Sequence, residues 1–223
     1  MGERVTFARP DGKQAAGWYV EPPAGKKAPA VVVIQEWWGS NEQIKGVADG
    51  LARAGYRAVV PDLYRGKVAV EVAEAEHLMT NLDFLDAAKQ DVRGAVQYLK
   101  KSSQRVGVMG FCMGGALTIL AAIHVPEADA IVCWYGVPPE EAGDPRTIRV
   151  PVQGHFALRD AFFPKAQAEK LGERLREANV KHEFHWYDAE HAFGNETGPH
   201  HDPEAKKLAW QRSLDFLARH VRP

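Results

Sequence analysis

The sequence predicts a single α/β domain over residues 1–223, built on a mostly parallel sheet with helices on both faces. Three observations predict it. Short β-branched runs alternate with longer helical patterns along the whole chain, the order that yields parallel strands joined by crossover helices. The run Ala30 to Gln35 (AVVVIQ) is apolar up to its last residue, as a strand buried on both faces is. A length of 223 residues suits one large core better than two small ones.

Arg4 to Phe7 and Ala15 to Val20 read as strands around the turn signal Pro10-Asp11-Gly12. After the strand at Ala30, Gln43 to Ala54 is amphipathic and stops at Gly55, which predicts a helix. Arg57 to Val60 is a strand closed by Pro61. Val70 to Thr80 and Leu85 to Lys101 carry helical periodicity. Arg105 to Met109 is the next strand, and Gly115 to His124 an apolar helix ended by Pro126. Ala130 to Trp134, Val152 to Gly154 and His182 to Tyr187 read as further strands, with a helix from Pro164 to Ala178 between the last two. The final helix runs from Pro203 to His220, its proline placed in the first turn. Glu21 to Pro29 and Val137 to Arg149 are short enough to be surface loops.

Composition narrows the function. Lys plus Arg total 28 against 29 for Asp plus Glu, a formal net charge of -1. That balance argues against a dedicated nucleic-acid or membrane-surface binder. Two cysteines cannot make a disulfide framework and suit a reducing compartment. The longest strongly apolar stretch, Ala116 to Ile123, is far too short to cross a bilayer. The first ten residues have no apolar signal core, so the expected location is the cytoplasm.

Ligands of parallel sheets sit at the C-terminal ends of the strands. The strand at Arg105 runs there into Gly110-Phe111-Cys112-Met113-Gly114-Gly115 and then into a helix. This is the G-x-S-x-G nucleophile-elbow pattern with Cys for Ser, in the strand–turn–helix context the pattern requires. Backbone N–H groups at the helix start favour a thiolate. The competing reading is an inert Cys on a glycine-rich turn. Cys133, inside the apolar run AIVCWY, reads as core.

A Cys nucleophile needs a base, and the base an orienting group. Of nine histidines, His191 stands just past the last strand, where a loop residue reaches the elbow. His155, at another strand end, is the runner-up. His182 and His185 point to opposite faces of a strand, His77 lies mid-helix, and His124 and His220 end helices, where a cation favours the dipole. Asp160, after the strand at Val152, is the candidate acid, although it also suits a capping role before Pro164. Asp188, three residues from His191, is its rival. The order Cys112, Asp160, His191 is that of the α/β-hydrolases. His200-His201-Asp202 is not a metal cluster on this reading: adjacent histidines rarely chelate one ion, and Asp202 sits where an N-cap belongs. No metal or cofactor is expected.

Together these segments resemble the dienelactone hydrolase family, the cysteine branch of the α/β-hydrolase fold. The resemblance rests on Gln35-Glu36-Trp37-Trp38-Gly39, Pro61-Asp62-Leu63-Tyr64, the Cys112 elbow, Asp160-Ala161-Phe162-Phe163-Pro164 and His191-Ala192-Phe193. It implies hydrolysis of small-molecule esters or lactones through an acyl-enzyme on Cys112, with the backbone N–H groups of Met113 and Trp37 as the oxyanion hole. It also implies that Glu36 accepts the thiol proton in the resting enzyme.

Two arginines that hold a substrate carboxylate in the family have no counterpart here. One position, four residues after His191, is Asn195, and no Arg lies between Val68 and Ala88. Trp37, Trp38, Tyr64, Trp134, Tyr135, Phe162 and Phe193 fall at or near strand ends and are candidates, with Asn195, for an aromatic pocket suited to neutral esters. The expected assembly is a monomer or weak homo-oligomer. The competing function is a thiol-redox or thiol-sensing protein built on Cys112, which would want a resolving Cys nearby.

Overall fold

A computed structural model describes residues 2–222. Eight strands form one sheet in the order β1-β2-β4-β3-β5-β6-β7-β8. β1 (Glu3–Ala8) and β2 (Gln14–Val20) make an antiparallel hairpin at one edge. β2 also runs antiparallel to β4 (Arg57–Pro61). From there β3 (Ala30–Ile34), β5 (Val106–Phe111), β6 (Ala130–Trp134), β7 (Val152–Arg159) and β8 (His182–Glu190) continue in parallel.

Side-chain alternation along β3 shows why the strand had to be apolar throughout. Ala30, Val32 and Ile34 enter one core and Val31 and Val33 the other. The first core lies under α4 (Arg93–Lys100), α5 (Met113–His124) and α6 (Lys165–Glu177). The second lies under α1 (Glu42–Arg53) and α7 (Pro203–His220). α1 buries Ile44, Val47, Ala48 and Leu51, one stripe at helical spacing, and Asn41 caps it by accepting from Ile44 N at 3.1 Å. Asp202 caps α7 in the same way, on Ala205 N at 2.9 Å. α2 (Val72–Thr80) buries only Ala75 and lies on the surface.

Two elements differ from the sequence reading. The helix expected over residues 85–101 is three pieces: α3 (Phe84–Asp86), a π-helical segment (Ala87–Val92) and α4. The π segment carries buried Asp91, which pairs with Arg9 at 3.3 Å and Arg65 at 2.8 Å and so ties this layer to the hairpin edge. β7 and β8 run well past Gly154 and Tyr187. β7 stays buried through Ala157, and its pairing with β8 shifts register between Ala157 and Arg159. Such an irregularity re-aims a strand end, and the residue that follows is Asp160.

The strand order reverses at β3, with β4 on one side and β5 on the other. The crevice outside the ends of β3 and β5 is therefore where a ligand belongs. The segment after β3 carries Glu36 and Trp37; the turn after β5 carries Cys112.

Candidate active site

Cys112 sits between β5 and α5 with φ 55° and ψ -120°, a strained conformation for a residue with a Cβ. The surroundings over-determine it. A Cβ on Gly114 would stand 2.5 Å from the Gln35 and Ile34 carbonyl oxygens, so only glycine lets α5 start this close to β3. The Cys112 N–H donates to Trp134 O at 3.0 Å. The backbone N–H groups of Met113, at the start of α5, and of Trp37, in the segment after β3, are directed at the sulfur.

His191 and Asp160 complete a chain of hydrogen bonds to that sulfur. His191 Nε2 lies 3.1 Å from Cys112 Sγ, and His191 Nδ1 lies 2.8 Å from Asp160 Oδ2. A carboxylate only accepts, so Nδ1 carries the proton and the Nε2 lone pair faces the thiol. Asp160 Oδ1 accepts the backbone N–H groups of Phe162 and Phe163, both at 2.8 Å. Asp160 thus serves as turn former and as orienting group together. The His191 ring is boxed by Tyr135 at 5.3 Å, Phe162 at 5.0 Å and Phe163 at 5.5 Å between centroids.

The rivals for these positions lie elsewhere. His155 is not at a strand end but in the middle of β7, fully buried between Tyr187 Oη at 2.8 Å, Gln153 Oε1 at 2.9 Å and Ser213 Oγ at 2.9 Å. Burial, His185 and Arg212 push it well below the usual histidine range, so it is a neutral core residue. Asp188 is 80% exposed and pairs with Arg159. His124 and His220 do end helices, yet burial and neighbouring cations lower both toward neutral, against the dipole expectation. Cys133 is buried and donates its S–H to Gly136 O at 2.9 Å; burial pushes its thiol up to about 12. Among the described residues no cluster of three His, Cys, Asp or Glu has metal-site geometry.

Several candidate pocket residues are corrected. Trp134 and Phe193 are fully buried in the core under α1 and α7, 5.7 Å apart, and the small pocket that Trp134 does line lies beside those helices, with Val47, Arg53 and Trp210. β6 turns Cys133 to one face and Trp134 to the other, so a strand-end aromatic is as easily core as mouth. Tyr64 is buried and its hydroxyl donates to Met113 Sδ at 3.3 Å. Tyr135 and Asn195 are also buried, and they hold Glu36: the Tyr135 hydroxyl donates to Oε1 at 3.2 Å and Asn195 Nδ2 to Oε2 at 2.6 Å. Asn195 is therefore a carboxylate partner, but for this protein's own Glu36. Half-buried Trp37 and Trp38, with Phe162 at 63% exposure, form the aromatic surface at the mouth. Phe163, not among the pocket candidates read from the sequence, joins them through its packing on His191.

Glu36 is turned toward Tyr135 and Asn195 rather than bonded to the thiol. It still acts on Cys112 through space. Burial foremost, then the Glu36 charge, raises the Cys112 thiol well above its ordinary range; Asp160 adds to this, while the Met113 and Trp37 N–H groups oppose it. Glu36→Gln should lower the thiol pKa and move the pH profile of iodoacetamide alkylation to lower pH, with a several-fold faster rate at pH 8. Superimposable profiles for the two forms would show that the thiol does not feel Glu36.

The model of the dienelactone hydrolase family matches residues 16–221. "Protein usf" of Aquifex pyrophilus is 31% identical over 99% of this chain and 100% of its own length. A Salmonella typhi protein named "Putative carboxymethylenebutenolidase" is 31% identical over 97% of this chain and 87% of its own. A Klebsiella pneumoniae crystal structure, described as that of a putative dienelactone hydrolase, superposes with a TM-score of 0.85 at 27% identity, covering 98% of this chain and 99% of its own. With the family model covering residues 16–221 and relatives 31% identical over nearly the whole chain, the protein belongs to the dienelactone hydrolase family of α/β-hydrolases.

Proposed function

We propose that the protein hydrolyses neutral carboxylic esters or lactones through an acyl-enzyme on Cys112. The observation that carries this reading is the unbroken relay from Cys112 Sγ through His191 to Asp160, at 3.1 and 2.8 Å, beside two convergent backbone N–H groups. A neutral thiol is a poor nucleophile until its proton has somewhere to go. As the sulfur attacks the substrate carbonyl carbon, His191 Nε2 takes the thiol proton and Asp160 stabilises the resulting imidazolium. The carbonyl oxygen, now negative, accepts from Met113 N–H and Trp37 N–H. Collapse breaks the bond to the leaving alkoxide, which takes the proton from His191. Water, deprotonated by the same nitrogen, then hydrolyses the thioester and restores the thiol.

The neutral substrate class follows from where the cations are. Asn195 occupies one family arginine position and is committed to Glu36. Arg65 is tied to Asp91 and to the Asp62 carbonyl, and Arg159 to Asp188. A substrate carboxylate would meet Glu36 and Asp160, while both of these guanidiniums are already paired. For matched lactones or esters, kcat/KM should favour the neutral member by about tenfold, the ratio that corresponds to ~1.4 kcal/mol. A preference for the anionic member would overturn the neutral-substrate assignment. No turnover across the panel would overturn the hydrolase reading.

A further inference from the structure

The relay does not account for a groove of about 650 Å³ beside it, within the range of small-molecule sites. The groove runs between α5 and α6 under the loop over residues 137–145. Its walls include Ile119, Ile123, Val137 and Leu171, and its near end is formed by Phe162 and Phe163. Those two phenylalanines are the ones packed on the His191 ring. Groove and relay therefore share a wall. Ile119 and Ile123 also continue the α5 stripe that starts at Cys112 and Ala116, with spacings of four, three and four residues. The apolar surface leads away from the sulfur.

The rim offers no surplus cation: Lys170 pairs with Glu140 at 2.6 Å and Arg174 with Asp144 at 3.2 Å, while Glu141 adds a further carboxylate. The groove therefore suits an uncharged, apolar guest rather than an anion. Its position relative to His191 says which end of an ester enters it. His191 must hand its proton to the leaving oxygen, so the leaving group lies on the histidine side of the sulfur, while the carbonyl oxygen points to Met113 and Trp37. The Phe162–Phe163 wall is on the histidine side.

Resting on the ester-hydrolase reading, we propose that this groove is the alcohol-side subsite and that it selects esters of extended apolar alcohols. A fully buried methylene is worth about a fourfold gain in binding, so an open groove should return about twofold per methylene. The test uses two series on the wild type. In one, the alcohol grows from methyl to hexyl on a fixed acetyl group; in the other, the acyl group grows on a fixed methyl alcohol. kcat/KM should climb at least tenfold along the first series and stay nearly flat along the second. Ala166→Trp, which plugs the groove from the exposed face of α6, and Ile123→Glu, which puts a charge in it, should flatten the first series and leave methyl acetate within twofold of wild type. A climb along the acyl series instead, no climb in either, or a climb that survives both variants would overturn the assignment. Failure to turn over methyl acetate or any other ester would overturn the hydrolase reading itself, and the groove assignment with it.

Discussion

Cys112→Ala should lower kcat/KM for a small activated ester by about 10⁴-fold or more, because it removes the atom that forms the covalent intermediate. The loss should not be total. Trp37 N–H, Met113 N–H and the His191–Asp160 pair remain and can still assist direct attack by water. The fold should tolerate the change, since the sulfur packs at the edge of both cores rather than inside either. Mass spectrometry of wild type quenched during turnover should place the acyl adduct on the peptide containing Cys112. Cys133→Ala should keep most of the activity, because that thiol faces the Gly136 carbonyl inside the core. An acyl adduct on a serine, or undiminished turnover without Cys112, would remove the thioester mechanism.

Gly136→Ala should be the most damaging small substitution outside the relay. Its new Cβ would fall against the Cys112 carbonyl oxygen and 2.5 Å from Ala116 N, both backbone atoms of the elbow and its helix. Backbone cannot step aside as a side-chain tip can, so the cost should reach about 3 kcal/mol, the upper part of the overpacking range. In a chain of this size that is a fall in Tm of roughly 6–12 °C. Gly12→Ala is the control. Gly12 has φ +83° with nothing within 4 Å of the added carbon, so it should cost only the ~1 kcal/mol of a left-handed residue. Activity of folded Gly136→Ala should fall further than its stability, because the push lands on the residue that carries the nucleophile. Equal Tm losses for the two variants would show that the elbow relaxes more freely than its close approaches indicate.

The parallel strands were readable because most are β-branched or aromatic runs closed by a glycine, proline or polar residue; their order in the sheet was not read from the sequence. The relay residues were readable for the same reason: strand ends declare themselves, and Cys112, Asp160 and His191 follow strand ends in the order the fold uses. Legibility failed where the answer depends on which side of the sheet a residue faces. Trp134 and Phe193 are aromatic and near strand ends, yet they complete the core under α1 and α7. His155 looked like a strand-end base because β7 was cut short at Gly154; its polar partners Gln153, Tyr187 and Ser213 come from three elements and leave no local mark. Asn195 was visible as a missing arginine and a pocket candidate, not as a partner of Glu36. Its bond to Glu36 spans 159 residues and has no signature in either segment. The π-helical segment over Ala87–Val92 likewise has no pattern of its own; its residues read as ordinary helix formers.

The two oxygens of Asp160 have a consequence for how this protein can change. Oδ1 fixes the turn through the Phe162 and Phe163 N–H groups, and Oδ2 fixes His191. The turn needs only backbone N–H groups, so residues 161–163 can change in kind without undoing it, but one added or deleted residue would withdraw the N–H groups from Oδ1. The carboxylate would then be free to rotate, and His191 would lose its alignment. Natural drift and laboratory libraries alike should therefore reshape this rim by substitution and reject insertions and deletions there, even though the segment is an exposed loop of the kind that usually accepts them.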